Sequence, residues 1–100
     1  MFLSKSYYSK YEYGLIGFEK SNRKNKKYNA ILINYNTKQK KIIPFGDLRY
    51  QQYKDRTYLN LYSHLNHNDE NRRRLYILRH KKDIKNGFWS AGYFSMFYLW

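Results

Sequence analysis

The clearest hydrophobic pattern forms two short runs separated by a polar turn. In YNAILINY (28–35), β-branched and apolar residues fill the centre, which favours a strand. Asn36 and Thr37 predict the turn, because asparagine tolerates positive φ and hydrogen-bonds to nearby backbone. KQKKIIPF (38–45) then predicts the returning strand of a hairpin, with Pro44 at an edge or a strand end, since proline donates no hydrogen bond to a ladder.

Helical spacing follows between residues 69 and 82. Asn68 is the expected N-cap, and Asp69 and Glu70 would occupy the first turn, where carboxylates suit the positive end of the helix dipole. The last turn carries basic residues, which suit the negative end: Arg79, His80, Lys81 and Lys82.

One face of this helix is predicted to be apolar. Leu75 and Leu78 share it by their i, i+3 spacing, together with Tyr76 or Lys82. The basic residues of the helix fan out by about 100° per position, so they cannot form a single stripe.

The segments around these elements are less regular. Residues 46–47 end the second strand, and residues 48–62 mix aromatic and charged side chains in a way that fits a short helix or an ordered loop. Residues 63–68 predict a turn, and Asn-Gly at 86–87 ends the helical segment. Residues 88–100 fit a short buried tail, helical or extended.

These elements predict one α+β domain, in which a β-hairpin or small antiparallel sheet packs with one main helix and an aromatic C-terminal segment. A chain of 100 residues makes one domain at most. We expect residues 28–100 to form the compact domain. Residues 1–27 are expected to be a basic and aromatic N-terminal arm, either partly ordered or reaching outwards.

The net charge of the chain indicates a class of binding partner. The chain has 20 Lys and Arg against 7 Asp and Glu, a net charge of +13, whereas solubility needs only about 2–8 on a small domain. No acidic residue lies between residues 20 and 46. The excess favours contact with a polyanion, with a merely solvated surface as the alternative. The candidate nucleic-acid-binding residues are Arg23, Lys24, Lys26, Lys27, Lys38, Lys40, Lys41, Arg72, Arg73, Lys81 and Lys82.

Two further readings of these segments stay open. Tyr28 and Tyr35 lie near the basic residues, where their rings could stack on bases. Arginine forks suit carboxylate as well as phosphate, so one arginine of the helix pairing with Asp69 or Asp55 inside the domain is an equal alternative.

Catalytic and metal chemistry are not indicated. Without cysteine there is no disulfide, thiolate nucleophile or thiolate metal site. His64, His67, Asp69 and the more distant His80 have loose spacing for zinc, so we expect no metal and no cofactor. The glycines are isolated, and no nucleophile and base can be placed, so we do not expect an enzyme.

The C-terminal segment is the largest apolar reserve of the chain. Seven of its side chains are aromatic, and such rings bury about 150–250 Å² each, which favours a core role. An interfacial membrane anchor, a plug for a partner's groove and docking on a neighbouring subunit are the alternatives. The run is too short to span a membrane, and no signal-peptide core begins the chain, so a soluble protein is expected.

Short motifs in the second half resemble a family of small basic proteins of unknown function encoded by giant nucleocytoplasmic large DNA viruses. They are, in order, Phe45-Gly46-Asp47, Tyr50, Tyr53-Lys54-Asp55, Asp69, Arg73-Arg74, Tyr76 with Ile77 to Lys82, Ser90-Ala91-Gly92 and Leu99-Trp100. The resemblance covers residues 28–100. The segment between Lys82 and Ser90 is shorter than the pattern, and residues 1–27 have no counterpart.

The resemblance implies a viral source and a place in the virion, with the protein soluble in the host cytoplasm or nucleus during infection. It also implies structural roles for Asp47, Asp55, Asp69, Arg79, His80 and Trp100, with Arg79 and His80 bonded to one of the three carboxylates. The function expected is a non-enzymatic virion component that binds DNA or RNA by phosphate contacts through residues 20–41 and 72–82. The alternative is a minor capsid or assembly protein that binds other virion proteins through aromatic and basic surfaces. Its basic charge would then meet an acidic protein surface.

Overall fold

Three antiparallel strands form the centre of the computed structural model, which describes residues 8–82 and 89–100. The strands are β1 (Tyr13–Lys20), β2 (Lys26–Asn34) and β3 (Lys40–Asp47), in the spatial order β1-β2-β3. The helices are α1 (Glu70–His80) and α2 (Ala91–Tyr98), and a short 3-10 helix covers Ser63–Leu65. The predicted α+β class is confirmed.

The predicted hairpin is the β2–β3 pair. Ile31 lies opposite Ile42 in its antiparallel register. The Asn34 side chain accepts hydrogen bonds from the main-chain N–H groups of Asn36 and Thr37, which fixes the turn. Pro44 lies in β3, an edge strand, where its missing N–H costs no ladder bond on the outer side.

The N-terminal segment is more ordered than the sequence indicates. Strand β1, which the sequence assigns to the arm, pairs along its length with β2, and the expected boundary after Lys27 falls inside β2. A register shift between Leu15 and Gly17 breaks the alternation of apolar positions, so the strand has no regular pattern to read. A Cβ at Gly14 would lie 2.5 Å from the Tyr35 hydroxyl, which explains a glycine there.

The core lies between one face of the sheet and the C-terminal segment. Tyr28, Ala30 and Leu32 alternate along β2 towards this face and are fully buried. Phe94 of α2 packs against Phe45 of β3, with ring centroids 5.5 Å apart. The aromatic C-terminal segment therefore closes the core as a helix. Position 88 and the predicted stop at 86–87 lie outside the described residues.

Helix α1 differs from its prediction at the cap and at the packed face. Its N-cap is Asp69, whose carboxylate accepts hydrogen bonds from the N–H groups of Asn71 and Arg72, whereas Asn68 precedes the cap with φ +55°. The predicted apolar face is wrong, because Leu75 and Leu78 are 41% and 52% exposed. The helix docks through aromatic stacking instead of through these leucines.

Residues 48–62 form an ordered loop joined to residues 63–68. Gln52 forms a parallel bridge with Asn66, with Gln52 N–H bonded to the Leu65 carbonyl and His67 N–H to the Gln52 carbonyl. The Leu99 carbonyl accepts hydrogen bonds from the next part of the loop, at the N–H groups of residues 53 and 54. The loop thereby links the sheet to the end of α2. No helix in the described part of the chain has the length and apolarity to cross a membrane.

Candidate functional site

A concave cleft of about 640 Å³ opens between the sheet end, the loop after β3 and the two helices. Strand β2 and helix α1 contribute five basic side chains to its lining: Lys26, Lys27, Arg72, Arg79 and His80. The carboxylate that lines it, Asp47, is engaged by Arg49 at 2.7 Å. Hydrogen bonds from the side chain and the main chain of Arg49 hold the pKa of Asp47 well below its usual range. The cleft is therefore a site of net positive charge.

The cleft gathers residues that are distant in sequence. Several of the short motifs of the second half converge on it: Phe45, Gly46, Asp47, Tyr50, Tyr76, Arg79, His80, Ala91, Gly92, Leu99 and Trp100. The fold alone brings these segments together, so the cleft is the natural candidate for the site.

Lys27 forms part of the inner wall. It is 2% exposed, and its Nζ donates hydrogen bonds to the Tyr50 carbonyl at 2.9 Å and to Gln52 Oε1 at 2.6 Å. Burial lowers the pKa of this ammonium to about 8, although Asp47 and Asp55 partly oppose the effect. The sequence places Lys27 among surface phosphate ligands, but the structure commits its ammonium to partners inside the protein.

Gly46 allows this wall to close. Its φ is +77°, a conformation that side chains rarely adopt, and it lies where the loop leaves β3. A Cβ at this position would lie 2.9 Å from Leu99 Cδ1 and 3.2 Å from Lys27 Cβ. The glycine thus permits the close approach of Lys27 and Leu99 behind the cleft.

Gln52 anchors the loop behind Lys27 and is fully buried. Its Nε2 donates to the Tyr62 carbonyl at 2.9 Å and to Asn66 Oδ1 at 2.8 Å, while its Oε1 accepts from Lys27. Sequence reasoning missed this residue, because two adjacent glutamines in a polar loop carry no signal of burial.

A stack of rings forms another wall. Tyr76 lies parallel to Trp100, with centroids 4.2 Å apart and an interplanar angle of 2°, and its ring also lies 4.3 Å from that of His80. The main-chain oxygen of Trp100 accepts hydrogen bonds from Arg73 at 2.8 Å and Arg56 at 3.2 Å. These contacts attach α1 to the C-terminal segment.

Arg73 is consequently turned away from the cleft. Besides the bond to Trp100, its guanidinium lies 5.2 Å from the Tyr53 ring centroid and 3.9 Å from Glu70. Its neighbour Arg72 is exposed at the cleft and donates to Gln51 Oε1 at 2.8 Å. Two adjacent arginines predicted as phosphate ligands therefore have different surroundings.

The carboxylates predicted to bond Arg79 and His80 are occupied by other groups. Asp55 is buried and accepts hydrogen bonds from the Tyr28 hydroxyl and from Thr57. Asp69 caps α1, and Asp47 binds Arg49, so the predicted tie from helix to hairpin is wrong. Within the described ranges 8–82 and 89–100, Arg79 has neither a hydrogen bond nor an ion pair, which leaves its guanidinium available at the cleft.

The basic residues of the hairpin fall into two groups. In the β2–β3 register Lys26 lies opposite Asp47 and Ile33 lies opposite Lys40, so the two ends are about 23 Å apart along the strand. Lys26 lines the cleft, with Arg23 and Lys24 exposed in the turn before it. The far group is Lys38, Lys40 and Lys41. Lys81 and Lys82 are exposed just after α1.

No set of three acidic or histidine side chains placed to hold a metal occurs in the described part of the chain. His67, one of the histidines considered for zinc, instead accepts a hydrogen bond at Nδ1 from the Asp69 N–H. Burial lowers the pKa of His67, which favours its neutral form.

Residues 16–57 are similar to a protein family described as a family of unknown function, DUF5754. The matched range covers most of the sheet and the loop as far as Thr57, and thus one side of the cleft. Comparison with curated proteins and with solved structures gave no significant match.

Proposed function

We propose that this protein binds nucleic acid through phosphate contacts, without catalysing a reaction, and that Lys26, Arg72 and Arg79 at the cleft are its central contacts. The observation that supports this most directly is their convergence on one concave site in a chain of net charge +13. Lysine and arginine neutralise phosphates and release condensed counterions, which drives binding of little sequence preference.

The internal acids do not neutralise these cations. Among the described residues, ion pairs join Arg49 to Asp47 and Arg73 to Glu70 and involve none of the three central contacts. Glu19 accepts a hydrogen bond from the Asn29 side chain, and Asp55 and Asp69 are used within loop and helix. The cleft therefore carries a net positive field, which favours binding of an external anion.

The test compares two variants that lose the same charge. In the cleft variant Lys26, Arg72 and Arg79 become Gln; in the control variant Lys38, Lys40 and Lys41, at the far end of the hairpin, become Gln. Affinity for a labelled duplex and for a labelled single strand is measured across a salt series. We expect the cleft variant to lower the slope of log affinity against log salt by about 2–3, because each lost phosphate contact removes roughly 0.7–0.9.

The control variant should change the slope by less than half as much. Equal losses in the two variants would show that the charge acts without a defined site. Wild-type binding that disappears below physiological salt would refute the proposal. From the motif resemblance we also propose that the protein is a virion component, which mass spectrometry of purified particles would test.

One observation favours the assembly role as a second candidate. On the sheet face opposite the core, Ile42 is 46% exposed and lies beside Ile31, while Ile16 at the bulge is 52% exposed. Apolar side chains grouped on an open face suit a protein interface. Ile16→Ser with Ile42→Ser, which leaves the net charge unchanged, should then abolish co-assembly with other virion proteins while leaving nucleic-acid affinity intact. Retained co-assembly would exclude this face.

A further inference from the structure

We propose that the cleft receives one unpaired nucleotide of a single strand, with its base against Tyr50 and its phosphate at Arg72 and Arg79. This inference rests on the proposed function and narrows its ligand to single-stranded nucleic acid. Size, ring exposure and charge each support it.

The size of the cleft fits a single nucleotide. Its volume of about 640 Å³ is that of a small-molecule site, for which about 300–1,000 Å³ is usual. The paired bases of a duplex lie inside the helix and cannot enter such a cavity, whereas an unpaired base can leave the strand and be buried. A concave site therefore selects for a strand with free bases.

The rings of the stacked wall cannot supply the platform for a base. Trp100 lies parallel to Tyr76 at 4.2 Å, and His80 packs at 4.3 Å from the same ring. Because an aromatic ring has two faces, Tyr76 has none left for a base. This stack forms a rigid side of the cleft.

Tyr50 has the exposure that a platform requires. Its side chain lines the cleft and is 64% exposed, and its carbonyl is anchored by the Lys27 ammonium. The Arg49 guanidinium lies 5.7 Å from its ring centroid and can cover one face. No other ring contact to Tyr50 occurs in residues 8–82 or 89–100, so the second face is open for base stacking.

The charges around Tyr50 suit a phosphate next to a stacked base. Arg72 and Arg79 are exposed on α1, seven residues and about two helical turns apart, so they lie on the same side of the helix. Deeper in the cleft, Lys27 offers three N–H donors, of which Tyr50 and Gln52 take two. An anionic ligand thus meets two exposed guanidinium groups at the mouth, while the buried Lys27 ammonium adds to the positive field behind them.

The experiment measures anisotropy with two probes at physiological salt, a labelled dT12 single strand and a labelled blunt duplex of 12 base pairs. The variants are Tyr50→Ala, which removes the ring, and Tyr50→Phe, which keeps it. Tyr11→Ala is the matched control, because that ring is 82% exposed and lies outside the cleft. Circular dichroism verifies that each variant folds.

We expect the wild type to bind dT12 more tightly than the duplex. Tyr50→Ala should weaken dT12 binding at least fivefold, as the loss of one base stack implies, and leave duplex binding unchanged. Tyr50→Phe and Tyr11→Ala should match the wild type on both probes.

Two results would overturn the inference while leaving the proposed function in place. One is a duplex affinity equal to or above that for dT12, and the other is an unchanged dT12 affinity in Tyr50→Ala, provided that the cleft variant still loses binding. Absence of binding to both probes would reject the proposed function itself, and the inference with it.

Discussion

At the scale of the residue, the burial of Lys27 depends on a segment far along the chain. The loop after β3 supplies the Tyr50 carbonyl and the Gln52 side chain, which together take the ammonium out of water. Burying a charge without such partners costs several kcal/mol, so the partners are a condition of the lysine's position. The same desolvation makes its protonation sensitive to pH.

This sensitivity predicts a rise in stability at alkaline pH. Lys27 has a pKa of about 8 in the folded protein against 10.5 unfolded, so between these values the unfolded chain binds more protons. The free energy of unfolding should increase from pH 8 to 10 by about 1 kcal/mol per pH unit. Burial and the Asp55 hydrogen bond raise the pKa of Tyr28 from 10.0 to about 12, so stability should fall again above pH 10.

Urea denaturation at intervals from pH 7 to 11 checks the profile. Lys27→Met keeps the length of the side chain and removes the titrating group, so its profile should be flat from pH 8 to 10. A flat wild-type profile, or a rise retained in Lys27→Met, would contradict the assignment.

Little of this residue-scale detail could be predicted from the sequence. A lysine in a basic stretch is typical of an exposed surface position. Only the position of the loop after β3 shows that Lys27 is buried. The sequence likewise predicts Arg73 as a phosphate ligand, whereas the structure bonds it to the Trp100 main chain. Lys26 and Arg72 were predicted as phosphate ligands, and both line the cleft.

At the scale of the element, local chemistry predicts more. The β2–β3 hairpin could be found because turn residues and β-branched runs act over neighbouring positions. Strand β1 could not, since its glycines and register shift hide the alternation. Helix α1 could be located by the charges at its two ends, although its cap is Asp69 and not the predicted Asn68. Its apolar face was misplaced, because Tyr76 stacks on Trp100 whereas Leu75 and Leu78 are exposed.

The cap of α1 gives a prediction at this scale. Asp69→Ala removes the acceptor for two N–H groups and should lower the free energy of unfolding by about 1 kcal/mol. Asn68→Gly is the control, because its φ of +55° suits glycine and should leave stability unchanged or slightly raised. Chemical denaturation of both variants provides the measurement. A larger loss in Asn68→Gly would restore Asn68 as the cap.

At the scale of the whole molecule, a ring stack and one arginine attach α1 to the C-terminal segment. Tyr76 stacks on Trp100, and Arg73 bonds to the Trp100 main chain. The sheet, by contrast, is continuous with the core formed by Phe45 and Phe94. The two parts therefore differ in how their stability responds to loss of one contact.

Trp100→Ala should loosen α1 more than the sheet. Loss of the stack removes about 0.5–1.5 kcal/mol beyond the buried area, so amide exchange in residues 74–80 should accelerate at least threefold more than in β2. Hydrogen exchange with mass spectrometry resolves the two regions. Tyr58→Ala, at an 88% exposed ring, serves as the control and should change neither. Uniform acceleration across the chain would show that α1 and the sheet open as one unit.

Because the cleft is assembled from four segments, ligand binding requires that all four are present and folded together. Its walls come from β2, β3 with the loop that follows it, α1 and the C-terminal segment, so no single segment carries the complete site. Occupancy and folding are then thermodynamically linked, and a ligand at 100 times its dissociation constant would add about 2.7 kcal/mol to the folded state. A chain that meets its ligand during synthesis gains this stabilisation only once residue 100 has taken its place.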